Sequence, residues 1–397
     1  MAQNKASASG SELWLHAWHD PLSNIKTTTS NMRMADLNGD GDAKLCICDT
    51  DKKIKVYHGT QLASEYALLD TPVGLCVTYT DSSSHIPSLA VAAGSHVFVY
   101  RQLRPYRKWS CPTVDIPQQE ADIWNDLRNG VIDATAAVRR LADSRDLGTY
   151  LSSRSAELLT LTSEEKRAAF VAQSLKEGTY EQHTLITCME TIKSESDDNA
   201  AACHLVIGTE SQEIIILPPD PVSASFLQRL RLPSVPVLMS TSGQFLTDWR
   251  VTIACRDGKM YSVKSGEARG SCILSGAVVD LGSQAVAMTK QDTAVWVATM
   301  DRFVGCYTAR GKLTRRITMP DAVTELQVVA VKKSKVSHLL MVALCTGEIR
   351  MYREASLVHS FHLAPPITGM RFGLYGREEN TLVVVHGRGA LSIKVRL

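Results

Sequence analysis

Asp36-Leu37-Asn38-Gly39-Asp40-Gly41-Asp42 carries oxygen side chains at its first, third, fifth and seventh positions and glycine at its sixth. A calcium loop uses that spacing, because the sharp turn at the glycine aims alternate oxygens at one hard cation. The ninth position departs from the pattern, with Lys44 where a further acidic oxygen is wanted. An ammonium there takes the cation's place and pairs with Asp36 or Asp40. Two readings stay open: calcium held by Asp36, Asn38, Asp40 and Asp42, or a metal-free turn between strands, which the lysine favours.

No other grouping has the spacing that catalysis or metal binding needs. There is no G-x-S-x-G elbow, no P-loop and no H-E-x-x-H. His16, His19, His183, His204, His338, His359, His362 and His386 are scattered along strand-like segments. The ten cysteines contain no C-x-x-C pair and no zinc spacing with histidine. Cys203, Cys255, Cys306 and Cys345 fall where hairpins want a small apolar residue, and Cys46 and Cys48 share one strand face. Reduced, packed thiols are expected, with no enzyme activity, no cofactor and no disulfide. The run Arg101–Lys108 interleaves arginine with Tyr106 ahead of Trp109, a pattern that suits phosphate contact and base stacking. A net charge of +2 and the lack of a basic stripe elsewhere make it a solvated outer strand, and no nucleic-acid partner is expected.

The elements that must position these residues form a repeat. Seven times an apolar strand runs through a tight turn into a second apolar strand, with copies near Leu45, Leu89, His204, Arg250, Ala294, Leu339 and Leu382. Successive gaps are about 44, 115, 46, 44, 45 and 43 residues, and all but the second lie in the range of propeller blades. Each unit reads as four strands; in the sixth these are Ala322–Lys332, His338–Thr346, Glu348–Glu354 and Ser356–Leu363. Asp257-Gly258 marks the clearest turn, Gly347 and Gly387 sit at comparable places, and Pro72, Pro236, Pro320 and Pro366 fall between blades. Radially stacked blades keep adding core without thickening a layer, so the chain of 397 residues is read as one all-β, seven-bladed β-propeller.

The long second gap coincides with a change of period from two to 3.6, placing a helical insertion between blades two and three at about 116–181. Asp122–Leu127 and Asp133–Ala142 read as short helices. Thr162 and Glu165 fit a capping box before a stripe of Ala168, Val171, Ala172 and Leu175, with Gly178 as the stop. The seventh unit supplies Pro366–Tyr375, Thr381–His386 and Leu391–Leu397 and is one strand short, so Leu13–His19 is expected to close the ring by pairing onto it. Val384 is assigned to core, where a charge would disrupt the seam of blades one and seven. The polar N-terminus lacks the apolar stretch of a secretory signal, and no run spans a bilayer, so a cytosolic location is expected.

Several stretches carry a resemblance: Ala35–Leu45, LRPY at Leu103–Tyr106, LPSVPV at Leu232–Val237, SGQF at Ser242–Phe245, GEIRMYR at Gly347–Arg353 and FGLYGREENTL at Phe372–Leu382. Through them nearly the whole chain resembles the N-terminal propeller of the first-numbered Bardet–Biedl syndrome protein family, a subunit of the ciliary BBSome coat. The acidic loop alone is also similar to the FG-GAP hairpins of integrin-type propellers. The family resemblance implies a non-enzymatic adaptor, with further domains after the propeller. Its implied partners are a GTP-bound Arf-like small GTPase, other BBSome subunits and membrane cargo proteins. The implied location is the cytoplasm, the cilium, its base and its membrane, with membrane contact indirect.

The resemblance further implies docking where blades one and seven meet, through the loops Asn38–Ala43 and Gly373–Asn380. Its candidate contacts are Asn38, Asp40, Asp42, Tyr375, Arg377, Glu378 and Glu379, with Arg371 and Arg388 nearby. Arginine and tyrosine are the types that anchor interfaces, although each residue also suits a salt-bridged turn closing the ring. The alternative is a generic propeller scaffold of another coat or signalling complex that recognises peptides. A calcium-regulated adhesion propeller would need secretion, disulfides and complete acidic loops, which the chain does not display.

Overall fold

The computed structural model describes residues 14–80, 86–114, 116–146, 151–176, 182–196, 198, 200–221, 226–266, 271–332 and 336–396. Two units divide the chain: one runs to Ser110 and resumes at Leu185, and the other spans Cys111–Thr184.

The first unit is a seven-bladed β-propeller made of antiparallel sheets. Its chain opens with β1 (Trp14–Asp20) and a short turn of 3-10 helix at Thr29–Asn31. Blade one is β2 (Met32–Ala35), β3 (Lys44–Asp49), β4 (Lys53–His58) and β5 (Gln61–Ala67). Blade two is β6 (Pro72–Thr78), β7 (Ser88–Ala93), β8 (His96–Arg101) and β9 (Arg104–Ser110). The second unit then contributes β10 (Thr113–Val114), α1 (Gln118–Arg128), α2 (Ala134–Asp146), α3 (Ser153–Thr160), α4 (Glu164–Lys176) and β11 (Gln182–His183).

Blade three is β12 (Ile186–Lys193), β13 (Cys203–Thr209), β14 (Glu213–Leu217) and β15 (Gln228–Arg231). Blade four is β16 (Pro236–Gly243), β17 (Trp249–Cys255), β18 (Lys259–Ser265) and β19 (Cys272–Leu274), with β20 (Val279–Asp280) also on β18. Blade five is β21 (Ala285–Gln291), β22 (Ala294–Thr299), β23 (Phe303–Tyr307) and β24 (Leu313–Thr318). Blade six is β25 (Val323–Lys332), β26 (Val336–Leu344), β27 (Glu348–Arg353) and β28 (Ser356–His362). Blade seven combines β29 (Ile367–Tyr375), β30 (Glu378–His386) and β31 (Ala390–Arg396) with β1 as its outer strand. The pairing of β1 with β31 runs from Trp14↔Arg396 to Asp20↔Leu391; Leu13 and Leu397, which the sequence reading included, lie outside the described residues.

Both faces of each middle strand are buried, which is why these segments read as continuous apolar runs. Alternate residues serve different neighbours. Leu45 and Ile47 pack with Val383 and Val385 of blade seven, whereas Cys46 and Cys48 pack with Leu75, Leu89 and Val91 of blade two. Burial pushes the Cys46 thiol up to about 12, as expected of an inert packing group. Cys345 departs from the expectation: it is exposed, with its Sγ 3.2 Å from Asp321 Oδ1. Val384 also departs in its neighbours. It joins Val329, Leu339, Met341 and Ala343, so the interface it fills is between blades six and seven, not one and seven.

The second unit has its own core of Ile123, Trp124, Leu127, Ala137, Leu141, Leu158 and Val171. Sequence patterning missed α3, a short helix whose start is capped by the Ser152 side chain accepting from Ser155 N. Buried Glu120 organises that cap, accepting from Ser152 N at 2.9 Å and from Ser155 Oγ at 2.5 Å. The start of α4 falls at Glu164, one residue later than a cap at Thr162 would give. Its inward face is Phe170, Val171, Ser174 and Leu175, while Ala168 and Ala172 are exposed. Small alanines gave no clue to which face turns inward. The expected stop at Gly178 lies outside the described residues.

Candidate functional site

The seam of blades one and seven is built on backbone pairing. Ala43 N donates to Gly376 O and Gly376 N to Ala43 O, both at 2.8 Å, so the acidic loop of blade one is tied to the first turn of blade seven. That turn is tighter than the expected loop over Gly373–Asn380. β29 and β30 continue to the register pair Tyr375↔Glu378, leaving only Gly376 and Arg377 between them. A two-residue hairpin turn needs positive φ, and Gly376 supplies it at +59°. Arg377, Glu378 and Glu379 are therefore held at the exposed tip of a rigid hairpin.

The acidic loop spends its first carboxylate on its own backbone. Asp36 Oδ1 accepts from Asn38 N, Gly39 N and Asp40 N at 3.2, 2.8 and 3.2 Å, and Oδ2 accepts from Gly41 N at 2.7 Å. The Asp36 carboxylate is thus wrapped by four amides of its own loop. Asp40 Oδ1 accepts from Asp42 N at 3.0 Å, and that bond holds the Asp40 carboxyl below its ordinary value. Asp42 Oδ2 lies 2.8 Å from His58 Nε2, an ion pair when the imidazole is protonated. Among the described residues no three of His, Cys, Asp and Glu are grouped to hold one metal ion.

Three sequence candidates take other roles. Tyr375 is buried, and its hydroxyl donates to Gly59 O at 2.5 Å, fastening blade seven to the last turn of blade one instead of offering a ring to a partner. Arg371 points into the ring. Its Nε donates to Met32 O at 2.9 Å and its Nη2 to Thr29 O at 2.6 Å. Burial first, and then neighbouring Arg33, pull its pKa down to about 9, so it stays charged at neutral pH. Arg388 is exposed but occupies the turn from β30 to β31. The nine residues of β30 separate it from Arg377 by about 30 Å, so the two share no surface.

Side chains that the sequence did not flag complete the seam. His58 meets Asp42, and Leu374, 39% exposed, adds a large apolar side chain beside the charged hairpin tip. Neither carries a motif, and the Tyr375–Gly59 contact joins positions 316 apart.

Inner strands of all seven blades surround a central cavity of about 460 Å³. Arg33, Glu190, Glu325 and Arg371 line it, with Arg33 Nη2 paired to Glu190 at 3.3 Å. Glu325 accepts from Thr29 N at 3.4 Å, yet its depth in the ring pushes its carboxyl up to about 7. A carboxyl raised in the fold favours the native state below its ordinary pKa, near 4.5, and that benefit is lost as pH rises through about 7. Glu325→Gln should therefore raise Tm at pH 8 and flatten the change of Tm between pH 5 and 7.5. Equal pH profiles for the two proteins in differential scanning calorimetry would refute this.

Comparisons with known proteins bear on this site. A family model described as ciliary BBSome complex subunit 1 matches residues 14–264. The curated protein BBSome complex member BBS1 of Mus musculus is 34% identical over 390 residues, covering 96% of this chain and 64% of its own length. The Homo sapiens protein of the same name is 33% identical over 390 residues with the same coverage, so the chain spans about 64% of the length of these relatives. Among solved structures, BBS1N in complex with ARL6DN, in a crystal soaked with mercury, superposes with a TM-score of 0.77 at 31% identity over 97% of each chain. Sqt1 of Saccharomyces cerevisiae, at TM-score 0.52 and 11% identity over 89% of this chain and 81% of its own, shares the fold alone.

Proposed function

Because the chain belongs to the ciliary BBSome complex subunit 1 family, we propose that it is a non-enzymatic adaptor of the BBSome coat, docking a GTP-loaded Arf-like small GTPase at the seam of blades one and seven. The similar solved chain, BBS1N, is in complex with ARL6DN, and this supports a small GTPase as the partner. Within this chain the supporting observation is the paired backbone of Ala43 and Gly376, which presents Arg377, Glu378 and Glu379 beside Asn38, Asp40 and Asp42 as one rigid polar patch. A preformed patch loses little entropy on binding, so affinity depends on how well the partner's switch segments fit it. If those segments fit only in the GTP state, binding reports nucleotide state, and the GTPase recruits the coat to a ciliary membrane, so the ring needs no lipid-binding segment of its own. Among the described residues no helix is long and apolar enough to cross a bilayer. Other BBSome subunits and membrane cargo are the further partners of this reading.

Arg377→Glu tests it. The side chain is exposed at a hairpin tip, so Tm should hold while affinity for the GTP-locked GTPase falls about tenfold or more. Pull-downs with GTP-locked and GDP-locked partners supply the control. Unchanged capture of the GTP form would remove Arg377 from the interface, and equal capture of both forms would favour a peptide-recognising scaffold.

A further inference from the structure

At the outer rim between blades six and seven, cationic and aromatic side chains meet with hydrogen-bond donors left over. Trp14 and Arg396 are partners in the β1–β31 register, as are His16 and Lys394, so all four stand on one face of blade seven. That face meets blade six, where Trp14 lies 6.0 Å from the Phe361 ring and Lys394 Nζ 5.4 Å from the same ring. Arg353, exposed at the end of β27, adds a further positive charge beside Arg396; burial and then that charge hold the Arg396 pKa down. Neither Arg353 nor Arg396 forms an ion pair among the described residues, and Glu354, next in sequence, is taken by Arg315 at 3.1 Å.

Three buried donors in this cleft have no acceptor among the described residues: Trp14 Nε1, Arg396 Nε and Arg396 Nη1. Buried unpaired donors destabilise a fold, and charged ones more so, which makes a group of them a poor structural choice unless something arrives to accept. The adjoining strand is unguarded as well. β28 (SLVHSFH) is the outer strand of blade six and contains no Lys, Arg, Asp, Glu or Pro, with Leu357 51% and Val358 48% exposed. Some other outer strands carry charges that deter pairing, such as Arg104, Arg107 and Lys108 on β9 or Arg315 and Arg316 on β24.

We propose that this rim is a docking site for an extended acidic segment of a partner protein, whose backbone adds to the free edge of β28 while an Asp or Glu carboxylate enters the cleft. The carboxylate oxygens accept from Trp14 Nε1 and Arg396, and Arg353 and Lys394 supply the surrounding positive potential. Strand addition gives affinity through main-chain bonds, and the carboxylate gives specificity. A flat anionic membrane fits less well, because the donors are recessed between two sheets. This surface is separate from the blade one and seven seam and stands whether or not a GTPase binds there.

A fluorescein-labelled peptide of alternating Glu and Val, followed by anisotropy on the whole chain, tests the site. Saturable binding is expected, with at least tenfold weaker affinity for a Gln-Val peptide. Arg396→Met should weaken the Glu-Val peptide at least tenfold while leaving Tm unchanged or higher, since it removes unpaired donors. Arg353→Glu, on the exposed side, should weaken it too. Equal binding of the Gln-Val peptide, or no effect of Arg396→Met on affinity, overturns the proposal. A fall in Tm for Arg396→Met would mean that the chain already satisfies this guanidinium, and also overturns it. Binding to phosphatidylserine vesicles without binding to the peptide would assign the rim to a membrane instead.

Discussion

Val384→Asp is expected to destabilise the propeller by about 3–5 kcal/mol or more. Val384 is fully buried, with blade six's Val329, Leu339, Met341 and Ala343 around it. A carboxylate there is either ionised without a partner or protonated at a cost, and removing compensation from a buried charge costs about 3–5 kcal/mol or more. A domain holds only about 5–15 kcal/mol in total, so the substitution consumes a large part of it. Val384→Ala is the control: it leaves a small cavity and should lower stability by about 1–3 kcal/mol with a cooperative transition retained. Urea denaturation reads both, and a midpoint for Val384→Asp equal to the parent would show that the blade six and seven interface is not a packed core. Because the neighbours are those of blade six, the damage should begin there, with hydrogen exchange rising in β26 and β30 before β3.

Removing the chain up to residue 24 is the second change with a large expected effect. β1 supplies the outer strand of blade seven and buries Trp14 against Phe361 and Phe372. Its hold is reinforced around Ser392, whose hydroxyl lies 2.9 Å from His19 Nδ1 and 2.7 Å from His386 Nε2, with the two imidazoles stacked at 5.4 Å. Losing a buried tryptophan alone costs about 3–5 kcal/mol. For a unit of this size that lowers Tm by on the order of 10 °C, and the bare edge of β31 becomes open to pairing between molecules. Scanning calorimetry and light scattering measure the two effects. An unchanged Tm with a monomeric product would show that β1 contributes nothing to ring stability.

Much of the architecture was legible because each blade is a local object. Strand, turn and returning strand lie within about a dozen consecutive residues, and doubly buried strands show as runs such as Leu45-Cys46-Ile47-Cys48. The need for an outer strand on blade seven was legible too, since a count of three against four requires only bookkeeping along the chain. Short or weakly patterned pieces were harder. α3 escaped because eight residues carry little periodicity, and the start of α4 moved because Thr162 and Ser163 are equally good caps until tertiary packing chooses.

The candidate site was legible only as two loops. That Asn38–Ala43 and the β29–β30 turn would meet follows from blades one and seven being neighbours in a closed ring, which is a consequence of topology. Which side chains face outward there is not. Arg371, Tyr375 and Arg377 look equally suited to an interface in sequence, yet one braces the cavity, one bonds Gly59 and one reaches solvent. The sequence by itself determined the blades, their number and the helical unit set into them, because periodicity and turn chemistry act between near neighbours. Only the tertiary structure decided the facing of Val384, the burial of Arg371 and Tyr375, the distance of Arg388 from the seam and the unpaired donors at Trp14 and Arg396. Each of those depends on atoms from another blade, and no local pattern records what a strand will meet once the ring has closed.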